Sequence, residues 1–126
     1  MKRLSDAEWK VMRVLWNNKE CNAKEVLAAI DEAWALSTVR TLLQRLVEKG
    51  AISYTHNKNV YVYHPLISEQ EASTKETKSF LQRVYGEGLK TAMVNFIQAE
   101  QLSAQDIDEL TMLLEDKKQA LHDNNE

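Results

Sequence analysis

A chain of 126 residues, 44% apolar and 28% charged with one Pro and three Gly, holds enough material for one domain, or for a small domain plus an assembly segment, and has little room for linkers or low-complexity tracts. Its formal net charge of -3 looks wrong for a nucleic-acid binder, yet residues 1–65 carry ten Lys and Arg against seven Asp and Glu, whereas residues 66–126 carry six against twelve. Phosphate attraction is local and is screened beyond about 10 Å at 0.1 M salt, so a cationic head on an acidic second module is compatible with DNA binding.

The single cysteine, Cys21, excludes an internal disulfide and has no Cys or His neighbour at zinc-ligand spacing, so it is expected to be a small buried residue. The N-terminus lacks the apolar centre of a signal peptide, and no run approaches the roughly 18 apolar residues of a spanning helix. A cytoplasmic protein with no direct membrane insertion is expected.

Ser5-Asp6-Ala7-Glu8 has the spacing of a capping box, with Leu4 and Trp9 placed as a hydrophobic staple, and predicts a helix from Asp6. Trp9, Met12, Leu15 and Trp16 form its inward face. Asn22-Ala23-Lys24-Glu25 opens a second helix that buries Val26, Leu27 and Ile30 and runs to about Ala33. Lys24 lies in its first turn, where a DNA phosphate could meet free amides and a positive dipole; a solvated lysine is the plain alternative.

The third helix, residues 36–49, is the one around which the chain is organised. Val39, Leu42, Leu43 and Leu46 recur at helical spacing, while Thr38, Arg40, Thr41, Gln44 and Arg45 fall on other faces, as expected of a recognition helix. Gly50 stops it. Two alternating runs follow, residues 52–56 and 60–63, separated by the turn composition Asn57-Lys58-Asn59. Helix, stop and hairpin make the back half of a winged helix-turn-helix.

Pro65 ends the wing, and Ser68-Glu69-Gln70-Glu71 repeats the capping-box spacing. A helix towards Tyr85 carries Phe80, Leu81, Val84 and Tyr85 on an apolar side; Gly86 and Gly88 break it. The next resumes with Leu89, Ala92, Met93, Phe96 and Ile97, and Ser103 with Asp106 caps a last one bearing Ile107, Leu110, Met112, Leu113, Leu114 and Leu121. Three helices with stripes this broad can hardly bury them on one another, so a second copy is expected to cover Phe80, Tyr85, Leu89, Met93, Phe96, Ile107, Leu110 and Leu114. The fold class is mainly α: a winged helix-turn-helix with a small β wing in residues 1–67, followed by a three-helix dimerisation module in residues 68–126.

Asp6-Ala7-Glu8-Trp9, Val11-Met12, Trp16, Trp34, Thr38-Val39-Arg40-Thr41-Leu42-Leu43, Arg45-Leu46-Val47-Glu48-Lys49-Gly50 and Val60-Tyr61-Val62-Tyr63 together resemble the penicillinase and methicillin-resistance repressor family, the BlaI/MecI type, which also includes copper-responsive repressors. The similarity runs over residues 4–117. It implies a homodimeric repressor on an inverted-repeat operator with TACA and TGTA arms. Thr38 and Thr41 match the family's paired threonines and Arg45 its arginine, and Arg40 stands where Gln or Lys is usual. Arg40 is the expected base reader, since arginine can donate two hydrogen bonds to guanine O6 and N7. Thr38 and Thr41 would offer hydroxyls to phosphate and methyls to thymine, and Arg45 would grip the backbone or form an internal salt bridge.

Two departures bear on these expectations. Ala35 and Ser37 replace a capping Ser and a Lys, so the helix cap is expected to move to Ser37. Lys58-Asn59 replaces a Gly-Arg wing tip, leaving Lys58 as a point charge without fork geometry. The resemblance also implies that the bond between Asn95 and Phe96 is the one cut when a membrane-bound β-lactam sensor's protease pathway inactivates the repressor. Copper-responsive members carry paired Cys-x-Cys motifs for Zn or Cu(I), and residues 116–126 contain no cysteine, so no metal or cofactor is expected.

An enzyme is not expected, because His56, His64 and His122 are scattered and no nucleophile or phosphate-loop motif occurs. Two alternatives stay open: a metal- or small-molecule-responsive winged-helix repressor, and a winged-helix protein-interaction adaptor, against which Arg40 and Arg45 argue.

Overall fold

The structure, a computed structural model, describes residues 2–86 and 88–124. Local capping chemistry sets the first helix, α1 (Asp6–Asn18): Ser5 Oγ accepts from the Glu8 amide at 3.2 Å while Glu8 Oε1 accepts from the Ser5 amide at 2.8 Å. Its buried side is Glu8, Val11, Met12, Val14 and Leu15. Trp9 and Trp16 are half-buried at the edge of that face rather than at its centre, with ring centroids 5.7 Å apart. For Trp16 the edge gives the indole N–H a partner: Nε1 donates to the Ile67 carbonyl at 2.9 Å.

A short strand, β1 (Cys21–Asn22), precedes α2 (Ala23–Ala29). The second helix ends before Ile30, not near Ala33, since Ile30 adopts extended backbone with its amide still bonded to Val26 O at 3.1 Å. Ending there lets residues 31–35 bring Trp34 back against the core. The third helix, α3 (Leu36–Glu48), buries Val39, Leu42, Leu43 and Leu46. Gly50 closes it at φ +77, in the left-handed region that a side chain disfavours, and the amides of Gly50 and Ala51 return to Val47 O and Leu46 O, both at 3.0 Å.

The hairpin β2 (Ile52–Asn57) and β3 (Val60–Pro65) then forms, in register from Ile52 opposite Pro65 to Asn57 opposite Val60. With β1 paired to β3, it makes an antiparallel sheet in the order β1-β3-β2. The three helices and the root of this sheet enclose one core. Into it reaches a carboxylate: Glu8, 1% exposed, meets Lys49 Nζ at 2.5 Å, and the same ammonium donates to the Arg3 carbonyl at 2.8 Å. Burial alone would raise the Glu8 pKa, but the bonds from Lys49 and from Ser5 outweigh it and hold the carboxyl below its ordinary value.

Ser68 starts α4 (Glu69–Tyr85), accepting from the Glu71 amide at 3.1 Å. The chain divides into two compact units at Ser79 and Phe80, inside this helix. The first turns of α4 belong to the head because Ala72 is buried and Arg3 Nε pairs with Glu76 Oε1 at 3.2 Å. In the second unit, α5 (Leu89–Ala99) buries Ala92, and α6 (Ala104–Asn124) is capped reciprocally by Ser103 and Asp106 but has no buried residue. The side chains of Tyr85 and Leu89 lie outside what the structure describes. Among the described residues no helix is long and apolar enough to cross a membrane.

Candidate nucleic-acid interface

With Val39, Leu42, Leu43 and Leu46 turned inward, α3 presents Ser37, Thr38, Arg40, Thr41, Gln44 and Arg45 to solvent. Ala35, not Ser37, is the cap residue, and no side chain caps that end. Ser37 therefore lies inside the first turn, where its carbonyl accepts from Thr41 Oγ1 at 3.0 Å. The bond commits the Thr41 hydroxyl hydrogen within the helix and leaves its methyl group free to touch a thymine. Thr38 has no such side-chain bond among the described residues.

The cations divide into two groups. Arg3 pairs with Glu76, Lys10 with Glu32 and Lys49 with Glu8, whereas Lys24, Arg40, Arg45 and Lys58, and away from α3 and the wing also Lys2, Arg13 and Lys19, have no ion-pair partner among the described residues. The internal salt bridge open to Arg45 is instead taken by Lys49, whose position at the end of α3 brings it to Glu8. A buried carboxylate needs a cation close at hand, and Lys49 meets that need, so Arg45 stays on the surface.

Lys24 is exposed in the first turn of α2, but the amides at that end are partly occupied, since Asn22 Oδ1 accepts from the Glu25 amide at 2.8 Å and Glu25 Oε1 from the Asn22 amide at 2.9 Å. Lys24 places a positive charge at that end of the helix. The wing tip is a two-residue turn in which both Lys58 (φ 50) and Asn59 (φ 66) are left-handed, the type I′ geometry that matches strand twist. Asn tolerates this conformation, and Lys does so at some cost.

Between α3 and the wing runs a groove lined by Lys24, Arg40, Gln44, Asn59, Tyr61 and Tyr63, with no carboxylate in its lining. Burial pushes the Tyr63 phenol up, Tyr54 and Tyr61 add to that, and the Arg40 charge works in the opposite direction, as expected of a guanidinium beside the wing root. Gln44 falls on an outer face of α3 as its helical spacing predicts, whereas the groove's Asn59 and Tyr61 lie on the wing and do not emerge from helical periodicity. The signal available for Tyr61 was the two-residue turn, which fixes cross-strand pairs. Cys21 is buried, and burial followed by Glu25 and Glu20 raises its thiol pKa, so it is kept protonated.

A family model described as penicillinase repressor matches residues 4–116. The penicillinase repressor of Bacillus licheniformis is 36% identical over 118 residues, covering 92% of either chain. The methicillin resistance regulatory protein MecI of Staphylococcus aureus is 34% identical over 116 residues, 90% of this chain and 94% of that one. In three dimensions, the solution structure of the DNA-binding domain of the repressor BlaI matches at 37% identity with a TM-score of 0.50, over 56% of this chain and 93% of that one.

Proposed function

The chain belongs to the penicillinase repressor family and is a DNA-binding transcriptional repressor, and we propose that it works as a homodimer whose two winged helices occupy the half-sites of an inverted-repeat operator with TACA and TGTA arms. The observation that carries the residue assignment is the exposed cationic surface on and around α3, where Lys24, Arg40, Arg45 and Lys58 have no ion-pair partner among the described residues, while Arg3, Lys10 and Lys49 are paired elsewhere in the head. Arg40 reads a guanine through O6 and N7; Thr38 offers a hydroxyl and Thr41 a methyl group to the same groove. Ser37, Arg45, Lys24 and Lys58 hold the sugar–phosphate backbone and set the register.

Dimerisation follows from what the second unit lacks. Phe80, Met93, Phe96, Ile107, Leu110 and Leu114 are all exposed in the single chain, and six such side chains would gain roughly 1.5 to 3 kcal/mol each on full burial. A second copy, with Tyr85 and Leu89 joining the set, covers them and spaces two heads for two half-sites. Residues 1–67 read DNA and residues 68–126 hold the pair together.

Release from the operator comes from cleavage between Asn95 and Phe96 by the protease pathway of a membrane-bound β-lactam sensor. The bond lies within α5, and Phe96 is 64% exposed in the single chain. Burial in a dimer would shield it until the helix opens locally, and the cut would detach α6 from the head. Mass spectrometry of the chain from β-lactam-treated cells should find a fragment ending at Asn95; derepressed cells holding only intact chain would remove this step.

The operator assignment is tested by titrating the purified protein onto an inverted-repeat duplex and a scrambled duplex across a salt series. Two chains on the repeat, bound tightly and with steep salt dependence, are expected. Equal, weak binding to both duplexes would overturn it.

A further inference from the structure

The outer half of the wing has no layer of protein behind it. Residues 54–61 are all exposed, and a two-stranded hairpin is marginal in water. The register nonetheless puts four rings on one face, with His56 opposite Tyr61 and Tyr54 opposite Tyr63. His56 and Tyr61 are stacked, centroids 4.5 Å apart and planes 15° apart; Tyr54 meets Tyr61 edge-on at 5.0 Å and lies 5.9 Å from Tyr63. Tyr63 in turn packs against the head's core. The rings form a continuous ladder from the core to within two residues of the tip.

At that tip the left-handed turn contains a lysine, where such turns favour Gly, Asn or Asp. Among the described residues no side-chain hydrogen bond reaches residues 57–59, so the turn depends on the strands that carry it. The ladder is what stiffens those strands. Tyr61 also lines the groove that holds Arg40, which makes the ladder one wall of the candidate interface.

We propose that Tyr54, Tyr61 and His56 are positioning residues for DNA binding: their ladder holds the wing so that Lys58 is presented to the sugar–phosphate backbone while α3 lies in the major groove. This rests on Lys58 meeting DNA, as proposed above. Tyr61 and His56 then act through Lys58, and the groove keeps its width because one wall is rigid.

The test is a double-mutant cycle on the full-length protein, read as operator affinity and salt slope. Lys58→Ala should weaken binding to repeat and scrambled duplexes alike and reduce the salt slope by about 1. His56→Ala and Tyr61→Ala should reproduce most of both effects, and Lys58→Ala added to His56→Ala should change little more. Circular dichroism checks the fold, and if Tyr61→Ala unfolds, the exposed His56 carries the test. Losses that multiply independently, or ring variants with a native salt slope, would overturn the positioning role. An unchanged affinity and slope for Lys58→Ala alone would instead remove the wing contact itself, and the ladder's role with it.

Discussion

Arg40 and Arg45 share a helix and a charge but not a setting. Arg40 lies in the first half of α3 and lines the groove beside Tyr63, whereas Arg45 lies in the last turn, clear of that groove. A guanidinium near the leading turns can reach base edges; one a turn and a half later follows the backbone. Arg40→Ala should therefore cost about 1 to 3 kcal/mol and relax preference at one base position, as measured on operators substituted base by base. Arg40→Lys should restore part of the affinity but not the preference, because an ammonium lacks the two-pronged donor geometry. Equal losses on specific and random DNA for Arg40→Ala would end its role as reader. Periodicity was sufficient to turn Arg40 outward, but it could not show that Thr41 spends its hydroxyl hydrogen on Ser37, since that depends on a rotamer.

Among elements, the pairing of Glu8 with Lys49 joins the start of α1 to the end of α3 and so fixes the recognition helix on the core. Glu8 titrates below its ordinary value in the folded protein, so it contributes stability that is present above the unfolded-state pKa and disappears as pH falls through the lower, folded-state pKa. Lys49→Met should destabilise by about 3 kcal/mol at neutral pH by leaving a buried carboxylate unpaired. The difference from the natural chain should shrink as Glu8 protonates in acid, read by urea unfolding at stepped pH. A constant difference across the carboxylate range would show that packing, not charge, is what Lys49 supplies. Ser5-Glu8, Asn22-Glu25 and Ser103-Asp106 were legible because a cap is a local event within four residues. The early end of α2 and the strand at Cys21 were not, because β1 exists only by pairing with Tyr63 and Val62, some forty residues away. The pairing of Glu8 with Lys49 was hidden for the same reason.

For the whole molecule, charge and apolar surface are segregated. Residues 1–65 are net cationic and residues 66–126 net acidic, while the large exposed aliphatic side chains gather in the acidic part, on α5 and α6. An acidic module repels DNA and so leaves contact to the head; its uncharged stripes are then available to a second copy. The broad stripes were visible at helical spacing, but which second-unit residues stay uncovered in the single chain could be seen only once Ala92 proved to be buried and α6 to have no buried residue. In a twofold interface one substitution enters twice. Leu114 is 62% exposed in the single chain, so Leu114→Asp should leave α6 helical while placing a carboxylate from each subunit in the apolar layer of the proposed dimer. At about 3 kcal/mol or more for such a burial, the dimer dissociation constant should rise at least about a hundredfold. Sedimentation should then find monomers at concentrations where the natural chain is expected to pair. Half-site affinity should be unchanged and full-repeat affinity should fall towards it, because each head still reads DNA but the second no longer arrives tethered to the first. A dimer mass retained by Leu114→Asp would mean that the two copies do not meet through α6.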